Sequence, residues 1–190
     1  MTHRRISVLI VFGALIPAAF FPFPMSLEAQ EQGQEVVAEV ALTEGTAEVS
    51  IPDVGWRRAV LGRRLLPESL VTTWRDSRVL VSRGETTVEI GPVSHLGILG
   101  IRDDLLRIRF DAGSLMVETQ EGIIVDIPVR ESRLRSSGAA RFSATTRELS
   151  VIAGSVFLEV PGIGSTEVTA GRRVSLVPHD LEPIFLPKPQ

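Results

Sequence analysis

Residues 77–90 read SRVLVSRGETTVEI, in which Ser77–Val81 and Thr86–Ile90 are short segments rich in valine and other apolar residues, separated by Gly84. Short segments of this composition, bounded by turn residues, are typical of β-strands. Comparable segments recur at Glu35–Leu42, Gly45–Ile51, Leu105–Phe110, Ser114–Val117, Gly122–Ile127, Glu148–Ile152, Ser155–Val160 and Arg173–Val177. Beyond the N-terminal segment, no window has a convincing apolar period of about 3.6 residues. The sequence therefore predicts an all-β fold.

One internal similarity bears on how the strands are arranged. Ala112–Glu118 (AGSLMVE) is repeated as Ala153–Glu159 (AGSVFLE). Each copy predicts a strand, a tight turn whose glycine has a positive φ, and a second strand. Units that cannot bury their own apolar faces tend to stack on one another, although chance similarity between turn–strand segments is an alternative. We expect a single domain of many short strands in a solenoid-like or sandwich-like stacked arrangement.

The N-terminal residues have the pattern of an export signal. Met1–Arg5 is basic, and Ile6–Phe23 is apolar with no charge before Glu28. A basic start followed by an apolar stretch is typical of a secretory signal peptide, here with cleavage after Ala29. The alternative is an uncleaved membrane anchor through residues 6–25, which barely reach the length needed to span a bilayer. Both alternatives place the rest of the chain outside the cytoplasm, in the periplasm or secreted.

We divide the chain into four parts on this basis. Residues 1–29 are the signal peptide or N-terminal anchor helix, and residues 30–44 form a lead-in strand. Residues 45–177 form the all-β domain, and residues 178–190 form a proline-rich C-terminal tail that contains Ile184-Phe185-Leu186. We expect this tail to pack on the domain, where it could cover a sheet edge, and the alternative is that it docks on a partner.

Composition excludes several classes of protein. The chain has 190 residues, no cysteine and a formal net charge of −3. The lack of cysteine excludes disulfides, thiol nucleophiles, iron–sulfur clusters and cysteine-ligated zinc. A nucleic-acid-binding protein would show a strong basic excess, so we expect no nucleic-acid partner.

The sequence also offers no catalytic constellation. Outside the signal segment the histidines are His95 and His179, which are too isolated to build a common multi-histidine metal site. His95 would need a serine and an orienting acid to act as a general base, and we expect it to be a turn or strand-end residue. Asp103-Asp104 could be half of a calcium site or a carboxylate dyad, but we expect a turn. We therefore predict a non-catalytic protein with no metal or cofactor.

Arginine is the most conspicuous polar residue. Every basic residue except Lys188 is an arginine, and several crowd one stretch of the chain: Arg130, Arg133, Arg135 and Arg141. In a strand, Arg133 and Arg135 would point to the same face. These four residues could form a partner surface, since guanidinium groups bind carboxylates in bidentate fashion. The alternative is that they decorate solvated faces and pair with the chain's own acidic residues.

The two tryptophans suggest a different kind of site. Trp56 and Trp74 could stack on sugar rings, because aromatic side chains combine an apolar face with a polar edge. Tryptophans in a β domain of this size more often belong to the core or its rim. A glycan-stacking role for Trp56 and Trp74 is therefore the second hypothesis about a site.

A series of short elements follows one another over about residues 45–177. It begins with a tryptophan, a Leu-x-x-Gly-x-x-Leu-like step and a Ser-x-apolar strand, and it ends with an Ala-Gly-x-x-Val turn. The elements are Gly55-Trp56, Leu61-Gly62, Leu65–Thr73, Ser77–Val81, Gly84–Ile90, Gly91–Leu96, Ala112–Val117, Ser137–Phe142, Ala153–Leu158 and Val168–Leu176. Their order resembles that of FecR-type domains. The sequence departs from the family pattern at Ala139, where threonine is usual, and at Arg172, where glutamine is frequent.

The resemblance implies a fold, a compartment and a kind of partner. FecR-type proteins are envelope regulators whose periplasmic β domain has no catalytic residues, so the resemblance implies an all-β extracytoplasmic domain. With only Met1–Arg5 ahead of the apolar segment, we expect no counterpart of the family's sigma-factor-binding part. Because only the short tail follows the β domain in this sequence, we also expect no counterpart of its C-terminal receptor-contacting subdomain. We predict a non-catalytic protein-interaction module of the bacterial cell envelope, in sensing or scaffolding, with an envelope protein as its partner. A cell-wall or glycan-binding β domain is the alternative.

Overall fold

The computed structural model of the protein describes residues 35–176. The expected signal or anchor (residues 1–29), the possible membrane segment (residues 6–25), His179 and the tail (residues 178–190) lie outside this range. Within it, no helix is long and apolar enough to cross a membrane.

The described chain is all-β, as predicted. Sixteen strands form one hydrogen-bonded network. A short 3₁₀ turn at Pro128–Arg130 connects two of them. The strands are β1 (Ala38–Glu44), β2 (Ala47–Ile51), β3 (Gly55–Arg58), β4 (Arg64–Leu65), β5 (Leu70–Thr73), β6 (Arg78–Arg83), β7 (Thr86–Ile90), β8 (His95–Arg102), β9 (Leu105–Ala112), β10 (Ser114–Thr119), β11 (Ile123–Ile127), β12 (Ser132–Ser136), β13 (Ala140–Thr145), β14 (Glu148–Val160), β15 (Gly164–Thr169) and β16 (Arg173–Ser175).

The network has two parts that meet in the long strand β14. The first half of β14 pairs with β13 and β16, and its second half pairs with β12 and β15. We call the two parts layer 1 and layer 2. Layer 1 has the strand order β4-β1-β6-β7-β10-β13-β14-β16, and layer 2 has the order β3-β2-β5-β8-β9-β11-β12-β14-β15. The lead-in strand predicted over residues 30–44 contributes β1, which pairs with β6 inside layer 1.

The core lies between the two layers. Side chains alternate along each strand, so that Leu106, Ile108 and Phe110 of β9 are buried while Arg107 and Arg109 face outward. The buried residues of both layers form a single apolar cluster, in which Phe110 comes from layer 2 and Phe142 from layer 1. One shared cluster means that the sheet folds over and encloses its own apolar face, as in a sandwich.

The chain also advances like a solenoid. It passes repeatedly from one layer to the other, and within each layer the strands follow chain order except at the first position. All neighbouring pairs are antiparallel except β9 and β11, which are parallel because the chain visits β10 in layer 1 between them. Parallel strands need such a crossover. The solenoid-like and sandwich-like descriptions therefore apply to the same molecule.

The repeated Ala-Gly motif lies where the chain changes layer. Gly113 separates β9 in layer 2 from β10 in layer 1, and Gly154 lies in β14 where that strand leaves layer 1 for layer 2. Their φ angles are 94° and 71°, which confirms the positive φ expected from the sequence. A Cβ at Gly113 would lie 2.6 Å from Ser94 Cα, and one at Gly154 would overlap the Ala139 carbonyl oxygen. Both positions thus require glycine for conformation and for space.

Buried hydroxyl groups hold the layer crossings together. Thr73 Oγ1 donates to the Gly91 carbonyl oxygen at 2.6 Å and accepts from the Ser94 N–H at 2.9 Å. Ser94 Oγ in turn accepts from the Ser114 N–H at 3.1 Å. Where the chain crosses between layers, backbone N–H and C=O groups have no partner in a neighbouring strand, and buried groups of this kind need another hydrogen-bond partner. These hydroxyl groups provide those hydrogen bonds.

We expect Gly154→Ala to destabilise the fold far more than Gly171→Ala does. Gly171 has a similar φ of 79° but has no atom within 4 Å of the added Cβ. Gly171→Ala should therefore cost about 1 kcal/mol for the left-handed conformation alone, whereas Gly154→Ala should cost about 3 kcal/mol because the methyl group also overlaps the backbone. Urea unfolding monitored by circular dichroism measures both values. Equal losses would show that the crossing at Gly154 is not tightly packed.

The Asp103-Asp104 pair forms a turn, as predicted. The two residues connect β8 to β9, and both have positive φ angles, 53° and 63°. A two-residue hairpin loop with two positive φ angles is a type I′ turn, which favours glycine at its second position. Aspartate adopts this conformation at a cost, since its Cβ crowds the backbone.

Asp104→Gly should accordingly stabilise the protein by about 1 kcal/mol, because it removes the strained Cβ from the second turn position. Asp104→Ala is the control, since it also removes the carboxylate but keeps the Cβ, and we expect no gain from it. The midpoints of thermal unfolding of the two variants provide the measurement. A gain in both variants would assign the effect to charge rather than to conformation.

Candidate functional site

The structure separates the four candidate arginines: Arg130 ends the 3₁₀ turn, and the other three divide between the two layers. Arg133 and Arg135 alternate with the buried residues of β12 and so share the outer face of layer 2, as the sequence predicted. Arg141 projects from the outer face of β13 in layer 1. The four arginines therefore do not form one surface.

Arg133 forms ion pairs with acidic residues on the neighbouring strands. The register places Arg109, Asp126, Arg133 and Glu159 in one row across β9, β11, β12 and β14. Arg133 Nε donates to Asp126 Oδ1 at 2.6 Å, and Arg133 Nη1 lies 3.8 Å from Glu159 Oε2. Arg107 binds the other carboxylate oxygen of Asp126, with Nη2 at 2.6 Å. The hydrogen bond to Asp126 raises the pKa of Arg133, so its guanidinium group stays charged.

The other three arginines also have partners within the protein. They are Arg135, whose Nη2 is 4.0 Å from Asp103 Oδ2, Arg141, whose Nε is 3.9 Å from Glu118 Oε2, and Arg130, whose Nε donates to the Thr146 carbonyl oxygen at 2.9 Å. Pairing with the chain's own acidic residues was the alternative to a partner surface. The contacts of Arg133, Arg135 and Arg141 agree with that alternative, whereas Arg130 contacts a backbone carbonyl group rather than an acidic side chain.

The two tryptophans lie near β2 but apart from each other. Trp56 is opposite Ser50 of β2. On the other side of that strand, the backbone N–H of Trp74 donates to the carbonyl oxygen of Thr46, which immediately precedes β2. Their positions differ by about 13 Å along the strands and about 10 Å across them. The tryptophans are 52% and 56% exposed. They could each contact a ligand, but they do not form one stacking platform.

His95 begins β8, which agrees with the expected strand-end position. Its Nδ1 is 3.1 Å from Thr72 Oγ1 on the neighbouring strand β5. Across residues 35–176, no cluster of histidine, aspartate and glutamate residues could hold a metal ion.

The most distinctive surface feature is the open edge of β15. Four strands end the two layers: β3 and β15 in layer 2, and β4 and β16 in layer 1. Of these, β4 has 2 residues, β16 has 3 and β3 has 4, whereas β15 has 6. β15 pairs with β14 alone among the described strands, and all its residues except Val168 are exposed.

The hydrogen-bond pattern identifies which backbone groups of β15 are open. Beyond the end of the strand, the Ala170 N–H donates to the Gly154 carbonyl oxygen. Bonding direction alternates along an antiparallel strand, so residues 164, 166 and 168 also face β14. The N–H and C=O groups of Ser165 and Glu167 and the N–H group of Thr169 consequently point away from the sheet, where they can pair with another strand, while the Thr169 carbonyl oxygen accepts from the Arg172 N–H in the following turn.

The opposite end of layer 2 is protected. The Ala59 N–H donates to the Ala47 carbonyl oxygen of β2, so the backbone groups of residues 55, 57 and 59 face β2. The carbonyl group of Trp56, between them, therefore points to the free edge of β3. Arg57 Nη1 donates to that oxygen at 2.8 Å. A charged side chain over an edge strand discourages pairing with another chain. No comparable contact covers β15 within the described range.

A cleft of about 600 Å³ adjoins the start of β15. It lies between the turn that joins β11 to β12 and the hairpin that joins β14 to β15. Apolar residues (Ile127, Pro128, Val160 and Pro161) and polar residues (Asp126, Glu131, Ser132, Arg133 and Glu159) line it together with Gly162, Gly164 and Ser165. The cleft is thus contiguous with the open edge.

Comparison with known proteins adds no assignment to this geometry. No protein-family model matches the chain, and no curated protein matches it in sequence. The resemblance to FecR-type domains therefore stays a prediction.

Neither β15 nor the cleft was identified from the sequence. Gly164–Thr169 has one strongly apolar residue, Val168, so it lacks the alternating pattern that predicts a strand. Glu131 and Ser132 carry no motif. The Ala-Gly motif at Ala153 and the turn residues Pro161-Gly162 were the available signals for a hairpin in this region.

We expect Asp126→Asn to lower stability by about 1–2 kcal/mol, because two guanidinium groups would lose their shared carboxylate. Its side chain is 16% exposed, so salt should screen the interaction only partly. Glu118→Gln is the matched control: its carboxylate is 59% exposed and its contact with Arg141 is longer. We expect its effect to stay below about 0.5 kcal/mol. Denaturant titrations at low and high salt test both values, and a larger loss in the control would contradict this assignment.

Proposed function

We propose that the protein is a non-catalytic protein-interaction module that binds an extended segment of its partner by strand addition at β15. The observation that carries this proposal is the open edge formed by Ser165, Glu167 and Thr169. Strand addition uses backbone hydrogen bonds for affinity and side-chain pockets for selectivity. β15 offers the backbone hydrogen-bonding groups, and the adjoining cleft offers a side-chain pocket.

Edge protection supports the choice of β15 over the other terminal strands. A long exposed edge is a liability for self-association, and proteins shorten it, charge it or cover it unless it has a use. Here β4 and β16 are short, and Arg57 covers the edge of β3. Glu167 is the one charged residue on β15. The contrast singles out β15 as the edge where a partner would pair.

The proposal extends to compartment and partner. The N-terminal pattern and the FecR-like order of motifs support an extracytoplasmic module of the bacterial cell envelope, in sensing or scaffolding, whose partner is an envelope protein. A cell-wall or glycan-binding domain is the alternative, and the half-exposed Trp56 and Trp74 favour it. Because these tryptophans are widely separated, each would have to bind a different sugar unit.

A photocrosslinking residue introduced at Thr169 tests the proposal in cells that produce the full-length chain. We expect it to crosslink to one envelope protein, and we expect Glu167→Pro to lower the yield at least about tenfold, equal to about 1.4 kcal/mol of binding. Proline at this position removes an N–H group that points away from β14, so the ladder inside the sheet is preserved.

Two controls make the result interpretable. The same crosslinker at Glu85, which is exposed in the turn between β6 and β7, should capture no such adduct. Thr166→Pro removes an N–H group that faces β14 and should destabilise the fold, whereas Glu167→Pro should leave thermal unfolding nearly unchanged. An adduct that forms equally at Glu85, or that survives Glu167→Pro in a folded protein, would rule out strand addition at β15.

A further inference from the structure

Two polar residues that line the cleft beside β15 have no side-chain partner among residues 35–176. Ser132 is 6% exposed, and its Oγ has no hydrogen-bond partner within residues 35–176. Glu131, which precedes it, is exposed and has no ion-pair partner in the described structure. An unpaired buried hydroxyl is costly, so a ligand that bonds to it would be favoured. The Ser132 Oγ has almost no accessible surface in the free protein, so this bond requires the side chain to rotate toward the cleft.

The other charges around the cleft are already compensated. Asp126 is shared by Arg107 and Arg133, and Arg133 also approaches Glu159. Glu131 therefore adds an uncompensated negative charge at the cleft. The apolar lining (Ile127, Pro128, Val160 and Pro161) can receive an aliphatic chain. A ligand that combines an aliphatic stem with a cationic head fits both properties.

We propose that this cleft binds a basic side chain, arginine or lysine, carried by the segment that pairs with β15. The inference rests on the proposed function, because the same bound segment supplies the side chain. Gly164 and Ser165 belong to both β15 and the cleft lining, so a segment paired with β15 passes the mouth of the cleft. Glu131 binds the cationic head, and the absence of a side chain at Gly164 leaves the entrance open.

A small probe tests the cleft separately from the edge. N-acetyl-arginine N-methylamide carries the basic side chain but is too short to form a strand, and the matching citrulline compound is neutral with nearly the same shape. We expect the arginine probe to shift the amide NMR signals of Glu131 and Gly164 in the full-length chain. The citrulline probe should bind at least tenfold more weakly.

Variants then assign the interaction. Glu131→Gln should weaken binding of the arginine probe at least tenfold, Ser132→Ala should weaken it severalfold, and Glu85→Gln should leave it unchanged. Equal binding of the arginine and citrulline probes, or no saturable shift from the arginine probe, would overturn the proposal even if crosslinking at Thr169 succeeds. If crosslinking at Thr169 fails but the arginine probe still binds the Glu167→Pro variant, the cleft is a binding site for basic side chains and the proposal of strand addition at β15 is rejected.

Discussion

Hydrogen bonds along β14 make one body out of two layers. The first half of this strand pairs within layer 1 and its second half pairs within layer 2. One layer therefore cannot shift against the other without breaking backbone hydrogen bonds between β14 and its neighbours. This continuity depends on Gly154, which lets the backbone turn through a left-handed conformation against Ala139. The position of β15, and with it the proposed docking edge, follows directly, because β15 pairs only with the half of β14 that lies beyond this glycine.

Local sequence pattern was sufficient for strands with strongly alternating composition. The segment Thr86–Ile90 was predicted with the bounds that the structure shows, and Gly113 and Gly154 have the expected positive φ. β15 was missed because Val168 is its one strongly apolar residue, and β5 because it has only four residues. Their pairing partners stabilise these strands instead. The two segments predicted at Glu148–Ile152 and Ser155–Val160 are one strand, since the glycine between them bends the chain without ending the ladder.

The candidate site was harder to predict, because its properties depend on register and topology. The sequence could place Arg133 and Arg135 on one face, but it could not show that Asp126 lies opposite Arg133. Whether a strand is central or terminal is likewise a property of the whole sheet. The open edge of β15 and the cleft beside it are therefore visible only in three dimensions, as is the separation of the candidate arginines, of which Arg133 binds Asp126.

The order of strands within the layers has a consequence for how the chain can fold and diverge. Because each new strand is added next to strands already formed, most pairings can close as soon as the next short stretch of chain is available. Apart from β1, whose partner β6 comes only after β2 to β5, such a domain can grow progressively along the chain. It can also gain or lose a pair of strands in its middle without rethreading the rest. Length is then an adjustable property of this architecture, and the last strand added to each layer presents that layer's edge.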